Sequence, residues 1–425
     1  MFRALASDNF PPFGNFRITF PPLDDRPSDL AEVHIFTGVN GTGKTRILSA
    51  LAAMLGQHEH LKKRLKGAMK PIIFQATDKY PNPGNPENWE NRLQAAETGS
   101  GWQNGGTLHQ WCERVPAFAY SGTAYVADSP ITVMAGVPKP ERALCLSFTR
   151  PEDHSAGLLQ AIANLKVQAA MDWMNQSGAD PGKAETEGGT TRSTKIVKAL
   201  ESAISRVTGL HFAFQVTSHP KAALEISWGG VKLAFNSLPD GLRSIIGWLA
   251  HSVVMMDAWL QGNEDPLQTE AVFLLDEIEG LLHPAWQRRV LPAFQRLFPK
   301  AQIFVATHSP FLIASLNHGW IHPLTMGPDG KVKVEEPLRA SEGDSYVSVV
   351  EDIMGVKEWY DPETEALLAE FRKQRDAAYR GNADAGTSAR QLAAKIGDRS
   401  MELGYMMGRE LRQMDRQLSQ VALPQ

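Results

Sequence analysis

Phe16, Ile18 and Phe20 alternate with polar neighbours, and further on Val33-His34-Ile35-Phe36 runs unbroken into a glycine-rich turn. The alternation predicts a half-buried strand, and the continuous run a strand covered on both faces. After the turn, the apolar positions from Ile47 to Leu55 predict a helix that Gly56 stops. Two more apolar runs, Ala271 to Leu275 between Glu270 and Asp276, and Gln302 to Ala306, are too short for stable helices and flank a helical stretch over 285–298. They predict two further buried parallel strands. Strands of this kind alternating with helices predict an α/β fold.

Between these ends the pattern is irregular. The segments at 80–91 and 98–106 are rich in Pro, Gly and Asn and predict surface loops. Over about 155–208 two helical patterns flank a polar linker with four glycines, a helical hairpin with a mobile tip. Leu210 to Phe235 alternates in three short stretches, which predicts a small antiparallel meander. The tail after about 341 is helical again, and Met407, Leu411, Met414, Leu418 and Val421 recur at a spacing of 4, 3, 4, 3. That spacing suits a coiled-coil seam or an amphipathic helix lying on its own domain, and both readings stay open.

Composition narrows the class. The 425 residues are 43% hydrophobic and 21% charged, an ordinary globular balance that excludes disorder and collagen. Cys112 and Cys145 are the only two cysteines and form no CxxC, so a disulfide scaffold and a zinc knuckle lack ligands and a reducing cytoplasm is expected. The first ten residues have no signal-peptide pattern, and the apolar stretch Ile245 to Met256 is too short to cross a membrane. A net charge of −4 gives no chain-wide attraction to nucleic acid, although Lys62, Lys63, Arg64, Lys66 and Lys70 make a local basic run that reads most simply as a solvated helix face.

The chemistry gathers at three points. Gly38-Val39-Asn40-Gly41-Thr42-Gly43-Lys44-Thr45 matches GxxxxGK(S/T) and lies between a predicted buried strand and a predicted helix. Glycines let backbone N–H groups curl around phosphates, and the helix N-terminus adds partial positive charge. Lys44 is expected at the β- and γ-phosphates of ATP and the Thr45 hydroxyl on Mg²⁺. Asp276 and Glu277 stand at the carboxyl end of a predicted strand, Asp276 as a partner of Mg²⁺ and Glu277 as acceptor of a proton from the attacking water. Thr307-His308-Ser309 ends the next strand, where His308 can donate a hydrogen bond to the γ-phosphate.

Together these parts resemble the ABC-type P-loop ATPases, in the branch that includes SMC and Rad50, RecF, the OLD nucleases and the anti-phage Septu ATPases. Gly38 to Thr45 is similar to the Walker A motif, Val272 to Glu277 to Walker B, and Thr307 to Pro310 to the switch-histidine loop. Between them, Ile278-Glu279-Gly280-Leu281-Leu282-His283-Pro284 is similar to the LHP element that OLD-like members carry after Walker B. The resemblance implies a parallel-sheet P-loop core formed by 1–60 and 210–340, a loop-rich and helical-hairpin insert at 61–209, and a helical partner or oligomerisation region at 341–425.

It further implies a dimer that sandwiches two ATP molecules, each closed by a signature element from the opposite subunit. Ser237-Leu238-Pro239-Asp240-Gly241-Leu242 is the candidate, with Ser237, Asp240 and Gly241 at the phosphate. Aligned on Gly241, Pro239 replaces the usual serine and Leu242 the usual Gln or Glu, a departure that fits a slow, switch-like ATPase. Gln75 is the candidate for the Q-loop. The chain shows neither an HNH nor a TOPRIM pattern, so the resemblance points to a separately encoded nuclease of one of those types, with DNA as a possible further partner. A transporter subunit and a RecF-like repair ATPase are the alternative readings; the transporter reading requires a shorter insert and an intact signature serine.

Overall fold

The computed structural model describes residues 1–54, 72–76, 96–98, 101–103, 115–122, 131, 144–146, 157–177, 191–217, 222–261, 264–340, 343 and 345–421. The basic run at 62–70 and the loop at 80–91 lie outside them. Contacts divide the chain into two units, Met1–Met354 and Gly355–Gln425.

The first unit is built on a sheet of eight strands: β3 (Glu32–Gly38), β7 (Ala117–Ser121), β8 (Leu144–Leu146), β12 (Val272–Asp276), β13 (Gln302–Ala306), β14 (Trp320–Met326), β15 (Val332–Val334) and β16 (Leu338–Arg339). Their order is β15-β14-β3-β13-β12-β7-β8, with β16 paired to β14. From β14 through β8 all neighbours run parallel, while β15 and β16 close one edge antiparallel. The apolar runs read from the sequence are the central strands, and every residue of β12 and β13 is buried.

Each central strand feeds two cores. Phe273, Leu275, Ile303 and Val305 enter one, and Val272, Leu274, Phe304 and Ala306 the other. This period-two division means both faces are covered, which is why the runs show no polar alternation. On the first face lie the helices α2 (Leu158–Ser177), α3 (Arg192–Thr208), α4 (Asp240–Leu260) and α5 (Pro284–Leu297), with a meander of β9 (Phe212–Thr217), β10 (Ala223–Trp228) and β11 (Val231–Ala234). On the second lie α1 (Lys44–Met54) and an antiparallel sheet of β1 (Phe2–Phe10), β2 (Gly14–Thr19) and β4 (Ile72–Ala76). A small hairpin is formed by β5 (Ala96–Thr98) and β6 (Gly101–Gln103).

Two boundaries differ from the sequence expectation. The stretch 61–209 supplies β7 and β8 to the central sheet, and its hairpin helices bury Leu158, Ile162, Ile196 and Leu200 in the main core. At the other end, Val349 is 1% exposed in that same core, so the first unit extends to Met354 rather than stopping near 340.

A buried polar cluster ties β1 to the amino ends of the parallel strands. Arg3 binds Glu32 through two bonds of 2.6 and 3.1 Å, and Gln302 exchanges hydrogen bonds with the Phe2 backbone and donates to Glu32. His34 lies 3.0 Å from Glu32 and 3.1 Å from His322. Burial alone would push Glu32 up, but the bonds from His34 and Arg3 hold it at about 2. Burial lowers His34, and His322 falls well below the ordinary histidine value for the same reason.

The second unit is α6 (Pro362–Tyr379), α7 (Ala383–Gly397) and α8 (Met401–Val421). Asp361 and Asn382 cap the first two through their side-chain oxygens. Met407 and Met414 are buried with Leu368, Phe371 and Ile396, and Leu411 and Leu418 pack beside them. The 4-3-4-3 seam is therefore used inside its own three-helix unit.

Candidate functional site

The parallel order puts β13 between β3 and β12, so the ends of the three motif-bearing strands stand side by side. Open parallel sheets place ligands at this carboxyl edge. β3 ends in Gly38, the turn covers 39–43, and α1 starts at Lys44. Two of the glycines have steric reasons. A Cβ on Gly38 would lie 2.3 Å from the Leu324 carbonyl oxygen, and one on Gly43, at φ +84°, would lie 2.8 Å from the Phe13 ring.

Lys44 is 5% exposed, and its ammonium donates to the carbonyls of Gly38 and Val39 at 2.8 and 3.1 Å. Burial lowers its pKa against the raising influence of Glu277, Asp276 and Glu279. The Thr42 hydroxyl closes the turn on the Val39 carbonyl at 2.9 Å, while Asn40 and Gly41 are exposed at its crest. The Thr45 hydroxyl donates to Asp276 at 2.8 Å, joining two motifs 231 residues apart.

This oxygen pair suits a hard cation such as Mg²⁺, which commonly takes one or two protein ligands together with substrate phosphates and water. Among the described residues there is no group of three or more His, Cys, Asp or Glu side chains able to hold a metal by themselves.

Glu277 is held at φ +51°, a conformation uncommon outside glycine. Its N–H donates to the Ala306 carbonyl at 2.9 Å, and its own carbonyl accepts from Gly280 N–H at 3.2 Å. Against that carbonyl sits Gly122, where a Cβ would come within 2.1 Å. The Glu277 carboxylate is left 59% exposed, 3.7 Å from His308 Nε2. Burial and then Lys44 lower the His308 pKa against Glu277, favouring a neutral imidazole near pH 7.

Ser237, Asp240 and Gly241 form a separate group. Ser237 ends a short 3₁₀ turn, Pro239 precedes α4 without a side-chain cap, and Asp240 is exposed and paired with Arg243. Gly241 is buried because the chain at 281–286 crosses it, leaving a Cβ there 2.7 Å from the Leu281 carbonyl. Gln75 lies in β4, opposite Ala4 of β1.

Residues with no role assigned from the sequence complete the site. The Glu279 carboxylate accepts from the Thr307 hydroxyl and from His308 N–H, and burial pushes its pKa up. Gln287, one turn into α5, accepts from the Ser309 hydroxyl at 2.6 Å. The motif strings marked the loops, but only the fold shows that these side chains link them.

Fold and site together define an α/β domain of the P-loop NTPase type. Residues 211–314 match the family described as "AAA domain, putative AbiEii toxin, Type IV TA system". The chain is similar to the Septu protein PtuA of Bacillus thuringiensis, 27% identical over 36% of this chain and 39% of that protein. It is also similar to the "Retron Vc95 probable ATPase" of Vibrio cholerae serotype O1 biovar El Tor, 24% identical over 40% of this chain and 33% of that one. A Septu protein and a retron ATPase thus stand among its relatives, and the chain spans under two-fifths of the length of each of these two. An SMC head solved with the C-terminal winged-helix domain of ScpA aligns with 80% of this chain and 98% of its own, at 13% identity and a TM-score of 0.42. Among the described residues no helix is long and apolar enough to cross a membrane.

Proposed function

We propose that this protein binds and hydrolyses ATP with Mg²⁺, pairs with a second copy across the nucleotides, and gates a separately encoded HNH or TOPRIM nuclease in anti-phage defence or a related DNA transaction. The observation that carries the nucleotide reading is the Thr45–Asp276 bond, with Lys44 behind it and Glu277 and His308 facing one another at the same strand ends. Gly38 to Thr45 wrap the phosphates with backbone N–H groups, and Lys44 turns from its own loop carbonyls to the β- and γ-oxygens. Thr45 and Asp276 would hold Mg²⁺, whose charge would offset that of the phosphates.

Glu277 accepts a proton from water as its oxygen attacks the γ-phosphorus, the bond to the ADP oxygen breaks, and His308 donates a hydrogen bond to the transferring phosphoryl group. Closure comes from the other copy, whose Ser237 and first turn of α4 approach the γ-phosphate. Pro239 has neither a hydroxyl nor a main-chain N–H to donate there, and the Asp240 carboxylate repels phosphate unless Arg243 offsets it, both in keeping with slow turnover.

Phosphate release by purified protein tests the reading. The wild type should turn over ATP slowly with Mg²⁺, and Lys44→Ala should neither bind nor hydrolyse it. A wild type that fails to bind ATP would remove the basis of the proposal. Co-expression with a neighbouring nuclease gene tests the gating, which fails if nuclease activity is the same with wild type and Lys44→Ala.

A further inference from the structure

We infer that Glu279 is a positioning residue whose carboxylate, backed by the Gln287 amide, holds the loop Thr307–Ser309 so that the His308 imidazole faces Glu277. This rests on the ATPase reading above. All three loop residues are tied to the segment 279–287. Glu279 Oε1 accepts from the Thr307 hydroxyl and, at 3.0 Å, from the main-chain N–H of His308. The Thr307 hydroxyl oxygen in turn accepts Ser309 N–H at 2.9 Å. The Ser309 hydroxyl donates to Gln287, whose amide donates to the carbonyls of Glu279 and Leu282 at 3.2 and 2.9 Å.

These bonds fix the main chain on either side of the imidazole while leaving the ring directed to Glu277 at 3.7 Å. Orientation of a reacting group by neighbours that do not themselves react is a common source of precision in active sites. Packing alone does not account for a carboxylate here. Thr307 is fully buried, and Glu279 Oε2 is buried with no hydrogen-bond partner among the described residues. An apolar side chain would fill the space without that desolvation cost, but could not accept the His308 N–H.

The test uses the full chain and three variants. Glu279→Ala removes the acceptor, Glu279→Gln keeps an amide oxygen at the same reach, and Thr307→Val removes the opposing donor at nearly constant volume. Glu279→Ala should lower kcat at least about tenfold while ATP Kd stays within about twofold, because misplacing a reacting group by a fraction of an ångström has effects of this order. Thr307→Val should show the same selective loss, and Glu279→Gln should return kcat to within about threefold of wild type.

Hydrogen exchange of the 307–309 amides should speed up in Glu279→Ala and return toward wild type in Glu279→Gln. Unchanged kcat and exchange in Glu279→Ala, or in Thr307→Val if the alanine variant does not fold, would overturn the inference. So would a Glu279→Gln protein as impaired as Glu279→Ala, which would assign the role to charge. A wild type inert toward ATP would instead defeat the ATPase reading, and the exchange data would still decide whether Glu279 holds the loop.

Discussion

Gly122 offers a test of how closely Glu277 must be placed, at a position that touches no phosphate in the proposed mechanism. It follows β7 beside the Walker B strand, and an added Cβ would lie 2.1 Å from the Glu277 carbonyl oxygen and 3.2 Å from its carbon. Real Cβ contacts essentially never fall below 3.0 Å, so Gly122→Ala must move that peptide by about 0.9 Å. The movement strains the bond from Gly280 N–H and the φ +51° conformation that aims the carboxylate. Displacement of a catalytic group by about 1 Å can cost roughly 10²-fold in rate, equivalent to about 2.7 kcal/mol of activation free energy. Lys44, Thr45 and Asp276 remain in place, so ATP affinity should hold within about threefold. The assay pairs a nucleotide-binding titration with single-turnover phosphate release, and a thermal melt confirms folding. A folded variant with wild-type kcat would refute the argument that the Glu277 backbone sets the rate, and equal losses in affinity and rate would show that the P-loop itself had moved.

Three further outcomes follow from the geometry. Thr45→Val removes the hydroxyl bonded to Asp276 and should abolish most of the Mg²⁺-dependent part of ATP affinity; identical titrations of variant and wild type with Mg²⁺ would contradict the pair's assignment. His34 and His322 are held neutral by burial and take up protons more readily when unfolded, so the stability they contribute is present above about pH 6.5 and falls below it. Glu32, depressed to about 2, adds a further loss as pH drops from 4.5 toward that value. Urea midpoints at pH 8 and 5.5 should show the first loss, and equal midpoints would contradict it. Removing 355–425 should leave ATP binding intact and abolish assembly with the proposed effector, whereas a cut at 342 also strips Val349 from the main core and should destabilise the first unit; loss of ATP binding in the shorter deletion would count against the division.

Residues that act through local pattern were legible in the sequence. β3, β12 and β13 announce themselves as unbroken apolar runs because helices and a second sheet cover both their faces, and Gly38 to Thr45 is a local string whose geometry follows from its spacing. β7 was not, because Ala117 to Ser121 is a short run among loop-like segments and only its place beside β12 makes it a core strand. β14 is obscured by Pro323, which falls between the stretches paired with β16 and β15. The heptad-like spacing of α8 was ambiguous for a physical reason: the same apolar stripe serves a second chain or the neighbouring helices α6 and α7. Gly122 and Gln287 escaped notice because each is defined by one contact with a segment distant in sequence or by a bond across a loop.

In the proposed cycle, ATP held by Lys44, Thr45 and Asp276 brings two copies together, and they stay joined until Glu277 completes hydrolysis. The light-scattering mass of Glu277→Gln, measured with and without ATP and Mg²⁺, decides whether that cycle exists. A monomer without nucleotide and a dimer with it are expected, and a Glu277→Gln protein that binds ATP yet remains a monomer would contradict the cycle.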